Sequence, residues 1–406
     1  NQGFTLIELL IVVAVLAVLA SAVVLILNPA DMIKQSRDTT RMSDLQLLNK
    51  ALSFIQAYAP ETSFGSSNKV YVSIPDSTST CANLSLPALP SGWSYGCVTS
   101  TALRNTNGTG WVPVAFTAFA GGPPITVLPL DPINTTSTGN YYTYTTGGSW
   151  ELAGVMESNK YKMGGSTDKT STDTGSYPDL YELGTNLTLL PVSRDPSLVG
   201  YWKFDEGSST SAYDASGHNA TGTLTNSPTW QTSTSCVKGG CLSFNGGGGY
   251  VDMGTSSVFE LTNEMTFVFW MNPDVQLGDY RRVLSKGGWN SLGYTFYLGT
   301  VGQNVLSAYF GSSTAWSGSF APSISYTPNV WNHVATTVKL GSSGKSYLNG
   351  SFVNGLVPAT YYPSPTSALK IGTESGSYYK GYIDDIRIYN RALSAAEIQA
   401  IYNATK

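Results

Sequence analysis

The stretch GFTLIELLIVVAVLAVLASAVVLILNPA, residues 3–30, decides how this chain is built. From Phe4 to Leu27 it is apolar apart from Thr5, Glu8 and Ser21. At 1.5 Å per residue a helix over this run is roughly 36 Å long, enough to span the hydrocarbon of a bilayer. A carboxylate inside such a run is costly unless it is paired, so Glu8 marks the segment as more than a plain anchor. Beyond Asn28-Pro29 the character changes but the helix does not stop. Apolar residues fall at Leu45, Leu48, Leu52, Ile55 and Ala59, with Arg41, Asp44, Asn49 and Gln56 on other faces, which is the stripe of an amphipathic helix. Pro60 ends it, because the residue before a proline disfavours the α region. The reading predicts one long helix over 4–59 that bends near Pro29 and packs its second half on a domain below.

Gly3-Phe4-Thr5-Leu6-Ile7-Glu8, with the apolar run directly behind it, resembles the processing motif of type IV pilins and type II secretion pseudopilins. The resemblance implies that a membrane prepilin peptidase cuts between Gly3 and Phe4, leaving residues 1–3 as a leader remnant, and that Phe4 becomes N-methylated. It implies that 4–27 is first transmembrane in the inner membrane and then forms the filament core among other pilin subunits. Glu8 then has a physical role, since a buried carboxylate needs a cation and the freed α-amine of a neighbouring subunit supplies one. A cleaved secretory signal would need a basic leader and a shorter apolar core. Ala20-Ser21-Ala22 offers it a small-residue site, but the run is too long and contains Glu8.

At 406 residues the chain has room for two or three domains. Only 12% of residues are charged, against roughly a quarter in ordinary soluble domains. Net charge is −4 and Lys and Arg do not cluster, so the electrostatic footprint of a nucleic-acid binder is missing. Four cysteines fall in two local groups, and near-neighbour pairing, Cys81 with Cys97 and Cys236 with Cys241, keeps each disulfide inside one domain. Such bonds imply an oxidising compartment. Closing the first loop stabilises by about 3 kcal/mol in the chain-entropy picture.

Residues 60–190 carry short alternating runs at 69–74, 141–144 and 150–153, with Thr146-Gly147-Gly148-Ser149 as a hairpin turn between the last two. They predict a small antiparallel sheet packed on the amphipathic helix, an α+β pilin globular domain. Leu130-Asp131-Pro132 followed by Tyr141-Tyr142-Thr143-Tyr144 resembles the globular part of major pseudopilins. Residues 191–197 read as a short polar linker, a hinge between domains. From Leu198 to Lys406, strand-like runs recur with turn signals between them: 199–204, 241–244, 265–271, 282–285, 294–298, 305–310, 332–338, 346–348, 368–371 and 381–389. They predict an all-β jelly-roll sandwich. Ser394 and Glu397 form a capping box for a closing helix.

This second half resembles the laminin-G-like, concanavalin A-like sandwiches, through Val199-Gly200-Tyr201-Trp202-Lys203-Phe204, Asp214-Ala215-Ser216-Gly217-His218, Trp331-Asn332-His333-Val334-Ala335, Tyr347-Leu348-Asn349-Gly350 and Gly381-Tyr382-Ile383-Asp384-Asp385. The resemblance implies one structural calcium held by Asp214, Asn219 and Asp384 or Asp385, a donor set of hard oxygens that suits that ion. Against it, Asp214 can simply cap its turn and Asp385 can pair with Arg387. Trp289, Tyr294, Tyr309 and Trp316 lie in or beside glycine-rich loops and are candidates for stacking on a sugar. For catalysis, Asp205-Glu206 and Asp384-Asp385 are adjacent pairs, which point to opposite faces of a strand and lack the facing geometry of a glycosidase. His333 beside Trp331 reads as a packed core histidine.

Together these features describe a non-enzymatic filament subunit at the bacterial cell surface, membrane-anchored before assembly, that displays a lectin-like domain for adhesion or glycan binding. The alternatives are a type II secretion pseudopilin with a polysaccharide-binding domain and a membrane-tethered glycanase. Because Glu8 carries the only charge in the apolar run, Glu8→Val is expected to leave the protein in the membrane and block filament growth. Sheared filaments of normal length from that variant, seen by negative-stain microscopy, would overturn this role.

Overall fold

The computed structural model describes residues 5–226, 228–275, 280–287, 292–300, 302–311, 319–356 and 361–406. Helix α1 runs Leu6–Leu27 and α2 runs Pro29–Tyr58. Between them Asn28 sits in the left-handed region (φ 41°), and its side chain accepts from the Asp31 amide while Pro29 occupies the first helical position. An αL residue followed by a proline breaks the hydrogen-bond ladder, so the expected bend falls at Asn28. The described side chains of α1 end at Ala20, and most of its large apolar ones are more than half exposed. Among the described residues no helix is long and apolar enough to cross a membrane. Of the span expected over 4–27, Phe4 lies outside the described residues.

In α2, Leu45, Leu48, Ala51, Leu52 and Ile55 are fully buried, as the stripe predicts. Arg41, expected on another face, is buried with them, because it stands four residues before Leu45 and therefore on the same face. Its guanidinium holds Asp131 through two bonds of 2.6 and 3.0 Å, Asp38 at 2.8 Å and Glu157 at 2.6 Å. Arg37 adds a fork to Glu157. This network ties α2 to two loops that connect strands of the sheet, at Asp131 and at Glu157.

That sheet comprises β1 (Lys69–Val72), β2 (Ser94–Gly96), β3 (Thr143–Thr146), β4 (Trp150–Val155) and β5 (Leu180–Gly184), in the order β2-β1-β3-β4-β5. It is antiparallel except that β1 and β2 run parallel, and the Gly147-Gly148 hairpin joins β3 to β4 in the expected place. Tyr144, Trp150, Leu152 and Tyr181 face α2. The alternate residues Val70, Val72, Ala153 and Leu180 form a core with residues of the second half, including Tyr201, Tyr389, Leu393, Ile398 and Ile401.

The second half contains β6 (Leu198–Trp202), β7 (Ser211–Ala212), β8 (Gly222–Thr225), β9 (Thr229–Gln231), β10 (Cys241–Asn245), β11 (Tyr250–Asp252), β12 (Glu264–Pro273), β13 (Arg282–Lys286), β14 (Tyr294–Leu298) and β15 (Val305–Phe310). It continues with β16 (Ser319–Ser325), β17 (Asn332–Lys339), β18 (Ser343–Leu348), β19 (Ser351–Leu356), β20 (Leu369–Ile371), the small hairpin β21–β22 (Thr373–Glu374 and Ser377–Tyr378), β23 (Lys380–Tyr389) and α3 (Ala395–Thr405). One sheet has the order β19-β18-β17-β12-β23-β10-β9, with β6 also pairing β23; the other is β16-β15-β14-β13-β20-β11-β8-β7. Their inner faces enclose one large apolar core rich in Phe, Met, Leu and Ile. This is the predicted jelly-roll sandwich. The added strands β7, β8, β9, β11, β16 and β19 are short or lie at sheet edges, where alternation is weakest.

The linker expected at 191–197 is not a hinge. Val192, Ser193 and Arg194 are buried, the Ser193 amide donates to Ala215 O, and Arg194 stacks on the Tyr141 ring while donating to the Tyr141 carbonyl. Removing Arg41 leaves Asp38 and Asp131 without their cation in the interior, while Glu157 keeps Arg37. Arg41→Met is therefore expected to lower the unfolding free energy of the detergent-solubilised chain by about 3–5 kcal/mol. Denaturant titration would refute this if the variant matched the parent.

Candidate functional site

The outer face of the β6-containing sheet is covered for most of its length by α3. Trp270 on β12 donates its indole N–H to Thr405 and lies against Tyr402, and the His333 ring packs between the same two aromatic rings. Burial holds His333 neutral, pushing its pKa down to about 3. It is the packed core histidine its sequence position predicts. Further along β12 this cover ends.

Beyond it three neighbouring strands present polar residues in register. Ser243 pairs with Tyr382 and Asn245 with Lys380 across β10 and β23, and Asn272 pairs with Tyr382 across β12 and β23. The intervening Leu242, Phe244, Met271 and Ile383 point into the core, so alternation turns Ser243, Asn245, Lys380, Tyr382, Asn272 and Asp274 to the outer face. They line a cleft of about 290 Å³ together with Asn329. Gly381, between Lys380 and Tyr382, has φ 129°, and a Cβ there would lie 2.3 Å from Asn272 O. Only glycine allows β12 and β23 this approach.

The rim is built by the loop before β17. The Asn329 amide donates to Pro273 O, and Trp331 packs beside Tyr382 at 6.3 Å. The Trp331 indole donates to Ser235 O, next to the Cys236–Cys241 disulfide that closes the β9–β10 connection. Cys81–Cys97 is likewise formed, in the other domain. Lys380 Nζ and Asp274 Oδ2 are 2.7 Å apart and both part-exposed, leaving the cleft electrically balanced. Amides, a hydroxyl, a phenol and two aromatic plates supply both donors and acceptors beside flat apolar surface, which suits polyhydroxylated ligands.

The two described residues predicted for sugar contact lie away from this cleft. Tyr294 is 1% exposed and packs on Phe267 in the apolar core, where the inward register of β14 puts it. Tyr309 is also 1% exposed, but it pairs with Thr295 on the face of its strand opposite the core residues Leu306, Ala308 and Phe310. Trp289 and Trp316 lie outside the described residues, as do Gly3 and Phe4. Glu8 caps its own helix, accepting from the Thr5 amide and hydroxyl. What sequence reading missed was the repeat of polar residues at every second position on three separate strands. Only their pairing turns it into a site.

The proposed calcium ligands do not fit one ion. Asp214 is buried and its carboxylate already accepts from the amides of Tyr201, Ser216 and Ala220 and from the Ser216 hydroxyl. Asn219 occupies a left-handed turn position (φ 57°). Asp385 pairs with Arg387 at 2.7 Å. Asp384 is buried where Val237 donates to it, and burial with the nearby Asp385 and Asp205 carboxylates pushes its carboxyl well above the usual range. Among the described residues no group of three or more His, Cys, Asp or Glu is placed to hold a metal ion.

A family model described as the concanavalin A-like lectin/glucanases superfamily matches residues 245–399, and one described as the prokaryotic N-terminal methylation motif matches residues 1–24. The chain thus carries a pilin-type methylation motif at its N-terminal end and a concanavalin A-like domain in its second half. No curated protein matches it. Similar solved structures include botulinum neurotoxin type C, which depends on interaction with two ganglioside molecules to enter cells, at 16% identity and TM-score 0.42, covering 52% of this chain and 51% of that one. Binding domains of botulinum neurotoxin DC are also similar. The one in complex with SialylT has 14% identity and TM-score 0.42, covering 52% of each chain. The one in complex with rat synaptotagmin II has 14% identity and TM-score 0.41, again covering 52% of each. This chain spans about half the length of these structures.

Since Asp214 serves three donors around its own turn and a fourth from β6, Asp214→Ala leaves three buried amides unsatisfied, at a cost of about 1–3 kcal/mol each. The variant is expected to melt lower by the same margin in millimolar calcium and in chelator. A difference abolished by the substitution would restore the calcium assignment.

Proposed function

We propose that this chain is a subunit of a type IV pilus-like surface filament, anchored in the membrane by its N-terminal helix before assembly, and that its sandwich binds carbohydrate at the open end of the outer sheet face. The methylation motif supports the first part. Cutting at Gly3-Phe4 would free the amine that Glu8 of a neighbouring subunit holds. The observation that carries the second part is the register of Ser243, Tyr382 and Asn272, with Asn245, Lys380 and Asp274 on the next rung. Vicinal hydroxyls of a sugar ring match side-chain amides that both donate and accept, and the apolar face of the ring matches Tyr382 and Trp331. The electrical balance of Lys380 with Asp274 favours neutral sugars over acidic ones.

The packed junction gives this reading a mechanical sense, because a sandwich without a hinge presents its site at a fixed angle to the filament. On a glycan array the detergent-solubilised chain is expected to bind neutral glycans. Tyr382→Ala and Asn272→Ala should each weaken binding by about tenfold, equivalent to roughly 1.4 kcal/mol. Undiminished binding by both variants would move the site elsewhere, and an array without any bound glycan would remove the carbohydrate reading.

A further inference from the structure

Glu151 on β4 and Glu182 on β5 lie on the sheet face turned towards the sandwich. Ala153 pairs with Glu182 and Glu151 with Gly184, which makes the two glutamates diagonal neighbours on one face. They are 2% and 0% exposed. Each commits one oxygen to the main chain: Glu151 Oε2 accepts from Leu189 N (2.7 Å) and Leu190 N (2.8 Å), and Glu182 Oε2 accepts from Tyr177 N (2.9 Å). The second oxygen of each is buried with no donor of its own among the described residues.

We propose that Glu151 and Glu182 share one proton, and that this proton latches segment 173–190 of the pilin domain against the sandwich. Two bare carboxylates side by side in a dry interior repel strongly, while an acid–carboxylate pair makes one short hydrogen bond and carries one charge. Burial, then the Glu151 carboxylate beside it, pushes the Glu182 carboxyl well above its usual range. Another acid and one cation face the pair. Asp173 accepts from Glu182 N at 2.7 Å and is itself pushed up to about 7 by burial. Lys203, just after β6, faces the pair from the sandwich and feels both carboxylates along with Asp205 and Asp385, but its ammonium lies over the Tyr177 ring at 4.1 Å and burial lowers its pKa. Tyr177 therefore joins the two sides: its amide is held by Glu182, and its ring meets Tyr201 edge-on at 6.0 Å as well as Lys203. Lys238 of the sandwich donates to Gly175 O in the same segment.

The direction with pH follows from linkage. In the unfolded chain the glutamate titrates near its ordinary 4.5, and in the folded chain it titrates higher. The stabilisation is full below about 4.5 and is lost as pH rises through the raised folded value. Above it the pair carries two charges that repel across the two oxygens the main chain does not hold.

Hydrogen–deuterium exchange of the full chain in detergent, normalised for intrinsic rates, reads this directly. Peptides covering 173–190 are expected to exchange about tenfold faster at pH 8 than at pH 5, because opening the segment no longer has to break the shared-proton bond. Glu182→Gln and, independently, Glu151→Gln put a permanent donor where the proton sits and should flatten the ratio. If one variant fails to fold, the other carries the test. A ratio near one in the parent chain, or the same ratio in parent and variant, overturns the latch.

Discussion

The molecule depends on a five-stranded sheet that is buried on both faces. Tyr144, Trp150, Leu152 and Tyr181 need α2, while Val70, Val72, Ala153 and Leu180 need the second half of the chain. A sheet with two apolar faces and one helix would leave the other face in water. The sandwich and α3 supply the missing layer, and so they are part of the pilin domain's core rather than an appendage on a tether. Gly164 shows how close the fit is, because a Cβ there would lie 2.8 Å from the Glu397 amide of α3.

Closing that layer takes charged groups out of water, and the structure handles them in three ways. Arg41 is surrounded by carboxylates. Arg387 pairs with Asp385 and lies over the Tyr201 ring, whose hydroxyl accepts from it at 2.6 Å. Among the described residues Glu151 and Glu182 make no such ion pair and rely on main-chain amides and on each other. A desolvated charge with a good partner is tolerated, whereas two like charges are tolerated only if one is neutralised.

The same layering decides where a ligand can bind. α3 seals the outer sheet face around Trp270 and His333, and the face becomes accessible only at the next positions along β12. There the Cys236–Cys241 loop fixes Ser235, whose carbonyl orients Trp331 beside Tyr382. A covalent staple in a short loop thereby sets the position of an aromatic plate about a hundred residues away in sequence.

Much of this was legible in the sequence because it is local. Period and punctuation along the chain mark the apolar helix, the stripe Leu45, Leu48, Leu52 and Ile55, ten of the sandwich strands, the Gly147-Gly148 turn and the Ser394–Glu397 box, and each depends on neighbours within a few positions. The disulfides follow from spacing and domain assignment. What the sequence could not determine is set by pairing between distant segments. Arg41 reads as a solvent-facing charge until Asp131 and Glu157 arrive from loops far along the chain. Tyr294 reads as a candidate sugar plate until strand register turns it inward. Asp214 reads as a calcium ligand until its oxygens are found serving four donors around its own turn and strand. Pro191 to Pro196 reads as a hinge because its composition is polar, yet Val192, Ser193 and Arg194 within it are buried where two layers close over them. Ser243, Asn272 and Tyr382 are unremarked singly and become a candidate site only when three strands come into register, since that is decided by hydrogen bonds between strands and not by the order of residues along any one of them.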